Sequence, residues 1–311
     1  MPTKPADEIA AIPLKGPLNG GLRGGDNVRR AIFSFLAAIA LFAVMDTLVK
    51  RLSAGYPVAQ LVFVRSFVAL VVVGGYALAA GGLASLRTRR LGGHMLRSLA
   101  GLASMACFFY AFRHLPLAEV YVLSFAGPLF ITALSMPLLG ERVGWRRWAA
   151  VLVGFGGVLV MAQPSMGALP PLPVLVGLAA ALFYALSMLA VRGLSRTESS
   201  TAIVVYLLAT CSAVSALFAI PVWVTPTGVD SLLMGAVGIV GAMAQILITQ
   251  AFRLAPPAVV APFEYTGMLW ATLFGFLVFG EVPTEAVLAG GGIVIASGLY
   301  ILHREALRGG R

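Results

Sequence analysis

Of 311 residues, 59% are hydrophobic and only 11% charged, and the mean hydropathy is +0.94. A soluble domain carries about 25% charged residues, so this composition excludes a water-soluble globular protein and makes lipid the solvent for much of the surface. The net charge of +10 would suit nucleic acid in a soluble chain, but the basic residues are dispersed among short polar breaks, which fits loops facing an anionic membrane leaflet and excludes a nucleic-acid partner.

In chain order, residues 1–30 are polar, with Pro, Gly, Lys and Arg and no apolar core. They predict a disordered tail, not a cleavable signal peptide. A hydrocarbon core of about 30 Å needs about 20 helical residues. Runs of that length fall at Ala31–Val49, Val58–Ala80, His94–Phe112, Leu117–Leu139 and Trp145–Ala162. After a Pro-rich break at 164–172, a second set falls at Pro173–Val191, Thr201–Val224, Ser231–Phe252, Pro257–Phe279 and Glu285–Leu302, and a polar tail, 303–311, ends the chain. The breaks carry Gly-Gly, Pro and Gly-Glu, as turns require. The fold class is therefore an all-α integral membrane protein with ten transmembrane helices.

The second half repeats the first. Tyr110–Glu141 reads YAFRHLPLAEVYVLSFAGPLFITALSMPLLGE and Gln250–Glu281 reads QAFRLAPPAVVAPFEYTGMLWATLFGFLVFGE; at an offset of 140, 11 of 32 positions are identical. The shared residues include Arg113/Arg253, Pro116/Pro256, Gly127/Gly267 and Glu141/Glu281. An internal repeat in an apolar chain indicates a transporter built from two related halves, here 31–163 and 173–302. With the N-terminus cytoplasmic, inside segments hold 18 of the 22 Lys and Arg, whereas outside loops hold Lys50, Arg51 and Arg113. This bias places both termini in the cytoplasm and the 164–172 linker in the periplasm. Five spans per half is an odd number, so the halves have opposite topology, an arrangement that sets a binding cavity between them near the membrane midplane.

The stretch PLAEVYVLSFAGPLFITALSMPLLGERVGWRRWAAVLVGFGGVLVM and its second copy, PPAVVAPFEYTGMLWATLFGFLVFGEVPTEAVLAGGGIVIASGLYIL, resemble the signature of the EamA-type drug/metabolite transporter superfamily. The resemblance covers Ala31 to Leu302 and is carried most specifically by Gly-Glu after the fourth and ninth spans. It implies a central cavity lined mainly by spans one, three, four, six, eight and nine. It also implies the movement of small metabolites, with bacterial exporters of amphipathic and aromatic amino acids as the nearest expectation. Uptake of a cofactor- or nucleotide-like metabolite is the alternative reading.

Ionisable residues inside spans are costly and tend to be functional. Asp46 and Arg65 fall at similar depths on spans one and two, where an ion pair would cancel two burial costs and serve a zwitterion or an outer gate; a purely structural pair is the plainer reading. Glu264 lies deeper, on span nine, opposite its repeat partner Ser124, and is a candidate anchor for a substrate amine or a proton-titrating site. Aromatic and polar groups at comparable depth complete an amphipathic set: Tyr110, Phe125, Tyr184, Ser187, Gln245, Thr249, Tyr265 and Trp270. Glu119 suits a helix N-terminus. Glu141 and Glu281 are read as caps of the helices that follow them, and Arg113 and Arg253 as snorkelling anchors.

Nothing in the chain matches a metal-ligand spacing, a nucleotide loop or a hydrolase motif, so no metal, no cofactor and no enzymatic activity are expected; an intramembrane enzyme is the remote alternative. The expected partners are a small-molecule substrate and the bilayer. The four ionisable residues within spans, Asp46, Arg65, Glu119 and Glu264, permit proton coupling without requiring it. The expected location is the bacterial inner membrane.

Overall fold

The computed structural model describes residues 21–81, 86–88, 90–139, 145–162, 171–195, 197–255 and 257–309. Among them there is no strand. The helices are α1 (Gly21–Ser53), α2 (Val58–Gly81), α3 (Leu91–His114), α4 (Leu117–Ser124), α5 (Gly127–Leu139) and α6 (Trp145–Ala162), then α7 (Pro171–Leu194), α8 (Ser200–Ala219), α9 (Gly228–Leu254), α10 (Pro257–Val260), α11 (Gly267–Phe279) and α12 (Glu285–Gly309). Short 3₁₀ turns, Ile220–Val222 and Ala261–Thr266, follow α8 and α10.

Among the described residues seven segments are long and apolar enough to cross a membrane; Trp148–Met161 and Glu285–Ile301 are shorter apolar helices. Two spans expected to be continuous are broken. The fourth stops at Ser124 and restarts at Gly127. The ninth unwinds into the 3₁₀ turn that carries Glu264 before α11 begins. The interruption leaves the ninth segment without a long continuous helix. At the ends, 21–30, 171–172 and 303–309 are helical although read from sequence as tail or linker. Once a helix is nucleated, each added turn costs little. Glu141 lies outside the described residues.

Local chemistry sets several boundaries. The Ser199 and Thr227 side chains accept from the backbone amides of Ala202 (3.0 Å) and Asp230 (3.3 Å), capping α8 and α9 as short polar side chains do at helix starts. Thr284 does the same for Val287 at the start of α12 (3.3 Å). α11 ends at Gly280 in the left-handed region, φ 67°, a conformation that glycine adopts without steric cost.

The most extensive helix pairings follow a simple exchange rule. α1 packs on α9 and α3 on α7; α2 packs on α9 and α3 on α8; α1 packs on α11 and α7 on α5. α2 with α8, and α6 with α12, pair across the same exchange. Swapping the first five sequence segments for the second five leaves this scheme unchanged. The α6–α12 contact brings backbones together: a Cβ on Gly157 would lie 2.8 Å from the Gly290 carbonyl oxygen and 2.9 Å from Ile293. Large apolar side chains such as Phe33, Trp145, Leu152, Phe218 and Leu269 are exposed on the outside of the bundle, a surface that suits lipid.

Candidate functional site

A cavity of about 590 Å³ lies between the helices of the two halves. α1 contributes Phe42, Met45 and Asp46, α4 contributes Tyr121 and Ser124 with Phe125 just after it, α7 contributes Tyr184, Ser187 and Met188, and α9 contributes Gln245 and Thr249. The 3₁₀ turn contributes Glu264. On α3 the lining follows a helical stripe, Arg97, Gly101, Met105, Phe108 and Phe112, because residues three or four apart share one face. α2 and α8, the second and seventh segments, also reach the cavity, through Arg65 and through Ile203, Val204 and Leu207. The lining thus mixes aromatic and aliphatic surface with a few ionisable groups, the usual composition of a small-molecule pocket.

Arg65 and Asp46 both line the cavity, but the expected ion pair is not formed: no contact within 4.0 Å joins them among the described residues. The Asp46 carboxylate instead accepts from the Tyr121 hydroxyl at 2.8 Å. The Arg65 guanidinium donates to the sulfurs of Met45 (3.4 Å) and Met105 (3.2 Å), soft and weak acceptors. Removing the donor to a buried carboxylate costs about 1–3 kcal/mol. Tyr121→Phe is therefore expected to lower the melting midpoint of the purified protein, and an unchanged midpoint would show that the Tyr121–Asp46 bond contributes nothing.

Several lining hydroxyls are satisfied by backbone carbonyls. Ser187 donates to the Arg97 carbonyl at 3.0 Å and Ser104 to the Ala180 carbonyl at 2.9 Å, binding α3 to α7. Ser124 and Thr249 donate to carbonyls of their own helices.

Three candidates from sequence do not line the cavity. Tyr110 lies off the α3 stripe and packs its ring 4.2 Å from that of His114. Tyr265 turns toward α12, near Gly298, with its ring 5.0 Å from Phe125. Trp270 stacks on Phe274 and packs beside Phe35 and Ala251. Depth along a span locates a residue but not the side it faces. The 3₁₀ turn also changes the angular step per residue, which rotates everything after Glu264.

Arg97 is the lining residue the sequence concealed. It sits nearly two turns inside α3, close enough to the preceding basic loop to read as a cytoplasmic anchor. It is 6% exposed, and its Nε and Nη1 have no hydrogen-bond partner.

Glu281 also departs from expectation. It does not cap α12, the helix that follows it. Its Oε2 accepts from the Leu117 amide at 2.9 Å, capping α4 in the other half, while Oε1 pairs with Lys50. Lys50 also donates to the Leu115 carbonyl at 2.7 Å and lies over the Phe279 ring. Nearby, at the α1–α2 end, Tyr56 donates to Asp230 (2.7 Å), and Gln60 exchanges two hydrogen bonds with the Val224 backbone. Glu119 is not the α4 cap; it is buried, with one carboxylate oxygen unpartnered. Among the described residues no group of three His, Cys, Asp or Glu side chains could hold a metal.

The sequence profile of the EamA-like transporter family matches this chain twice, at residues 29–163 and 171–303. The chain is 32% identical over 286 residues to a riboflavin transporter of Vibrio cholerae, covering 90% of this chain and 95% of that one. It is 30% identical over 283 residues to a pseudopaline exporter of Pseudomonas aeruginosa, covering 88% and 95%. It is 27% identical over 271 residues to an S-adenosylmethionine uptake transporter of Rickettsia prowazekii, covering 87% and 92%. A solved crystal structure, 23% identical, superposes with a TM-score of 0.61 over 89% of this chain and 98% of that one, so the fold is shared. With a cavity between apolar helices and two matched repeats, the chain is a multi-pass membrane transporter of the EamA-like family, within the drug/metabolite transporter superfamily.

Proposed function

We propose that this protein is a secondary transporter of the bacterial inner membrane that moves small amphipathic metabolites by alternating access. The observation that carries this reading is the cavity between the halves, large enough for a drug-sized ligand and lined by both aromatic and charged side chains. In this reading ten segments cross the membrane, with α4–α5 and α10–α11 each forming one interrupted crossing. Two inverted five-helix repeats, 31–163 and 173–302, flank a periplasmic linker at 164–172, with polar tails at either end. The exchange symmetry of helix pairing supports the inverted repeat. Interrupted helices at the cavity support transport as well, since unwound backbone at membrane depth is tolerated where it lines a cavity.

Both termini are cytoplasmic in this proposal. Moving Arg97 from the loops into the cavity still leaves 17 Lys and Arg on the inside against three on the outside, which supports the orientation.

The preferred cargo is an aromatic or neutral amino acid, moved outward; the mixed aromatic and charged lining favours such a cargo, and the similarity to an exporter favours the direction. The second reading, uptake of a cofactor- or nucleotide-like metabolite, is favoured by the similarity to riboflavin and S-adenosylmethionine transporters. Asp46 and Glu264 are the groups through which a proton gradient would act.

Counterflow into proteoliposomes tests the proposal, using labelled amino acids, riboflavin and nucleosides with and without a pH gradient. Aromatic amino acids are expected to exchange. Exchange of riboflavin with no amino acid exchanging would replace the first reading by the second, and no exchange of any organic solute would overturn transport.

A further inference from the structure

The cavity contains four acidic or basic side chains, Asp46, Arg65, Arg97 and Glu264, that the rest of the protein does not treat alike. Asp46 has the Tyr121 hydroxyl and lies within electrostatic range of Arg65. Arg65 has two sulfur acceptors and the field of Asp46. These two groups compensate each other in place. Arg97 and Glu264 have no such arrangement. Arg97 is buried with Nε and Nη1 unpartnered, and among the described residues no carboxylate lies within 4.0 Å of it. Glu264 lines the same cavity and carries no hydrogen bond from its side chain among the described residues.

A buried guanidinium without partners is costly unless something completes it. The surrounding structure holds that guanidinium at the cavity wall. Gly101, one turn after Arg97, lets α7 and α8 approach closely: a Cβ there would lie 2.8 Å from Leu207, 3.3 Å from the Ser187 hydroxyl and 3.8 Å from Arg97 Nη1. The Ser187 hydroxyl holds the Arg97 carbonyl, fixing this turn of α3 against α7. Tyr184 lies within electrostatic range of both Arg97 and Glu264, and all three line the cavity. Tyr121, Phe125 and Phe108 supply apolar wall beyond it.

We infer that Arg97 and Glu264 form a charge-reading subsite for a zwitterionic organic substrate, Arg97 taking its carboxylate and Glu264 its ammonium group. The inference rests on the transporter reading of the cavity and narrows its cargo. A guanidinium binds a carboxylate through two parallel N–H donors, and a carboxylate on an unwound turn can accept from a primary ammonium. A ligand with both charges satisfies both groups at once. A ligand with one charge leaves the other group buried and unpaired, and so binds less tightly.

The test uses the purified full-length protein and four probes that share bulk but differ in charge: L-tryptophan (both charges), indole-3-propionate (anion only), tryptamine (cation only) and riboflavin. Binding is measured by calorimetry for the wild type, Arg97→Gln and Glu264→Gln. The wild type is expected to bind tryptophan more tightly than either single-charge analogue. Arg97→Gln should weaken tryptophan and indole-3-propionate by about thirtyfold or more, the scale of removing one partner from a buried charge pair, and leave tryptamine unchanged. Glu264→Gln should do the reverse. The unaffected probe in each variant reports that the protein is folded. Equal loss of both analogues in either variant would mean that the residue is only structural, and the subsite fails. Riboflavin binding that ignores both substitutions, without a preference for tryptophan, overturns the subsite while sparing the transporter reading. No binding of any probe, together with no counterflow of any organic solute, overturns both.

Discussion

Glu281→Ala is expected to destabilise the protein by about 3 kcal/mol, and Glu281→Gln by less. Alanine strands the Lys50 ammonium, of which 11% is exposed, and leaves the Leu117 amide without its carboxylate cap. Breaking a buried ion pair by removing one partner costs about 3–5 kcal/mol, and partial exposure of Glu281, at 23%, places this pair at the lower end. Glutamine loses the charge but retains an oxygen that can accept from Leu117. The double variant Lys50→Met/Glu281→Gln should recover part of the loss, because it removes the stranded charge. In the proposed orientation these bonds join α1, α4 and α11 at the outer end, so the single variants should also make cysteines introduced there react faster with an impermeant thiol reagent. Equal midpoints for Ala and Gln, with no recovery in the double variant, would remove the ion pair and cap from any role.

A second large effect is expected at Gly290. Its added Cβ would meet the Gly157 carbonyl and lie 2.8 Å from both Met161 N and Met161 Cβ. Backbone atoms cannot rotate away, so the helices must separate. Gly290→Ala should cost at least about 1–3 kcal/mol, the range for overpacking, and Gly290→Val should abolish the monodisperse peak in detergent gel filtration. Gly292 is the internal control, since a Cβ there meets nothing within 4 Å. Gly292→Ala should be neutral or stabilising by up to about 1 kcal/mol through helix propensity. A Gly290→Val protein as monodisperse as Gly292→Ala would show that the α6–α12 approach has room to spare.

Much of the helical plan was legible because lipid imposes it. Apolar runs of span length and Gly, Pro and Gly-Glu breaks mark most helices within a few residues. What length and hydropathy do not encode is where a helix unwinds. The break after Ser124 and the 3₁₀ turn at 261–266 lie inside apolar sequence, and only Gly127 with Pro128, and Pro262, hint at them. In the cavity, Asp46, Arg65 and Glu264 were legible since a charge within an apolar run has no cheap alternative place. Arg97 was concealed by its neighbourhood, since a basic residue about two turns from a basic loop matches the pattern of an interfacial anchor. The Lys50–Glu281 contact was illegible for another reason: the partners are 231 positions apart, and each reads locally as an ordinary helix-end residue. Tyr265 and Trp270 show that depth without rotational register names the wrong face.

The cap on α4 has a consequence for biosynthesis. Leu117 opens a helix in the first half, yet the carboxylate that satisfies its amide belongs to residue 281. As the chain emerges from the ribosome, that helix start enters the bilayer with its cap still unsynthesised, and the first half cannot reach its final form until nearly all of the second has been made. Maturation of this protein is therefore a single late event, and truncation before Glu281 should leave a product that quality-control proteases treat as unfinished.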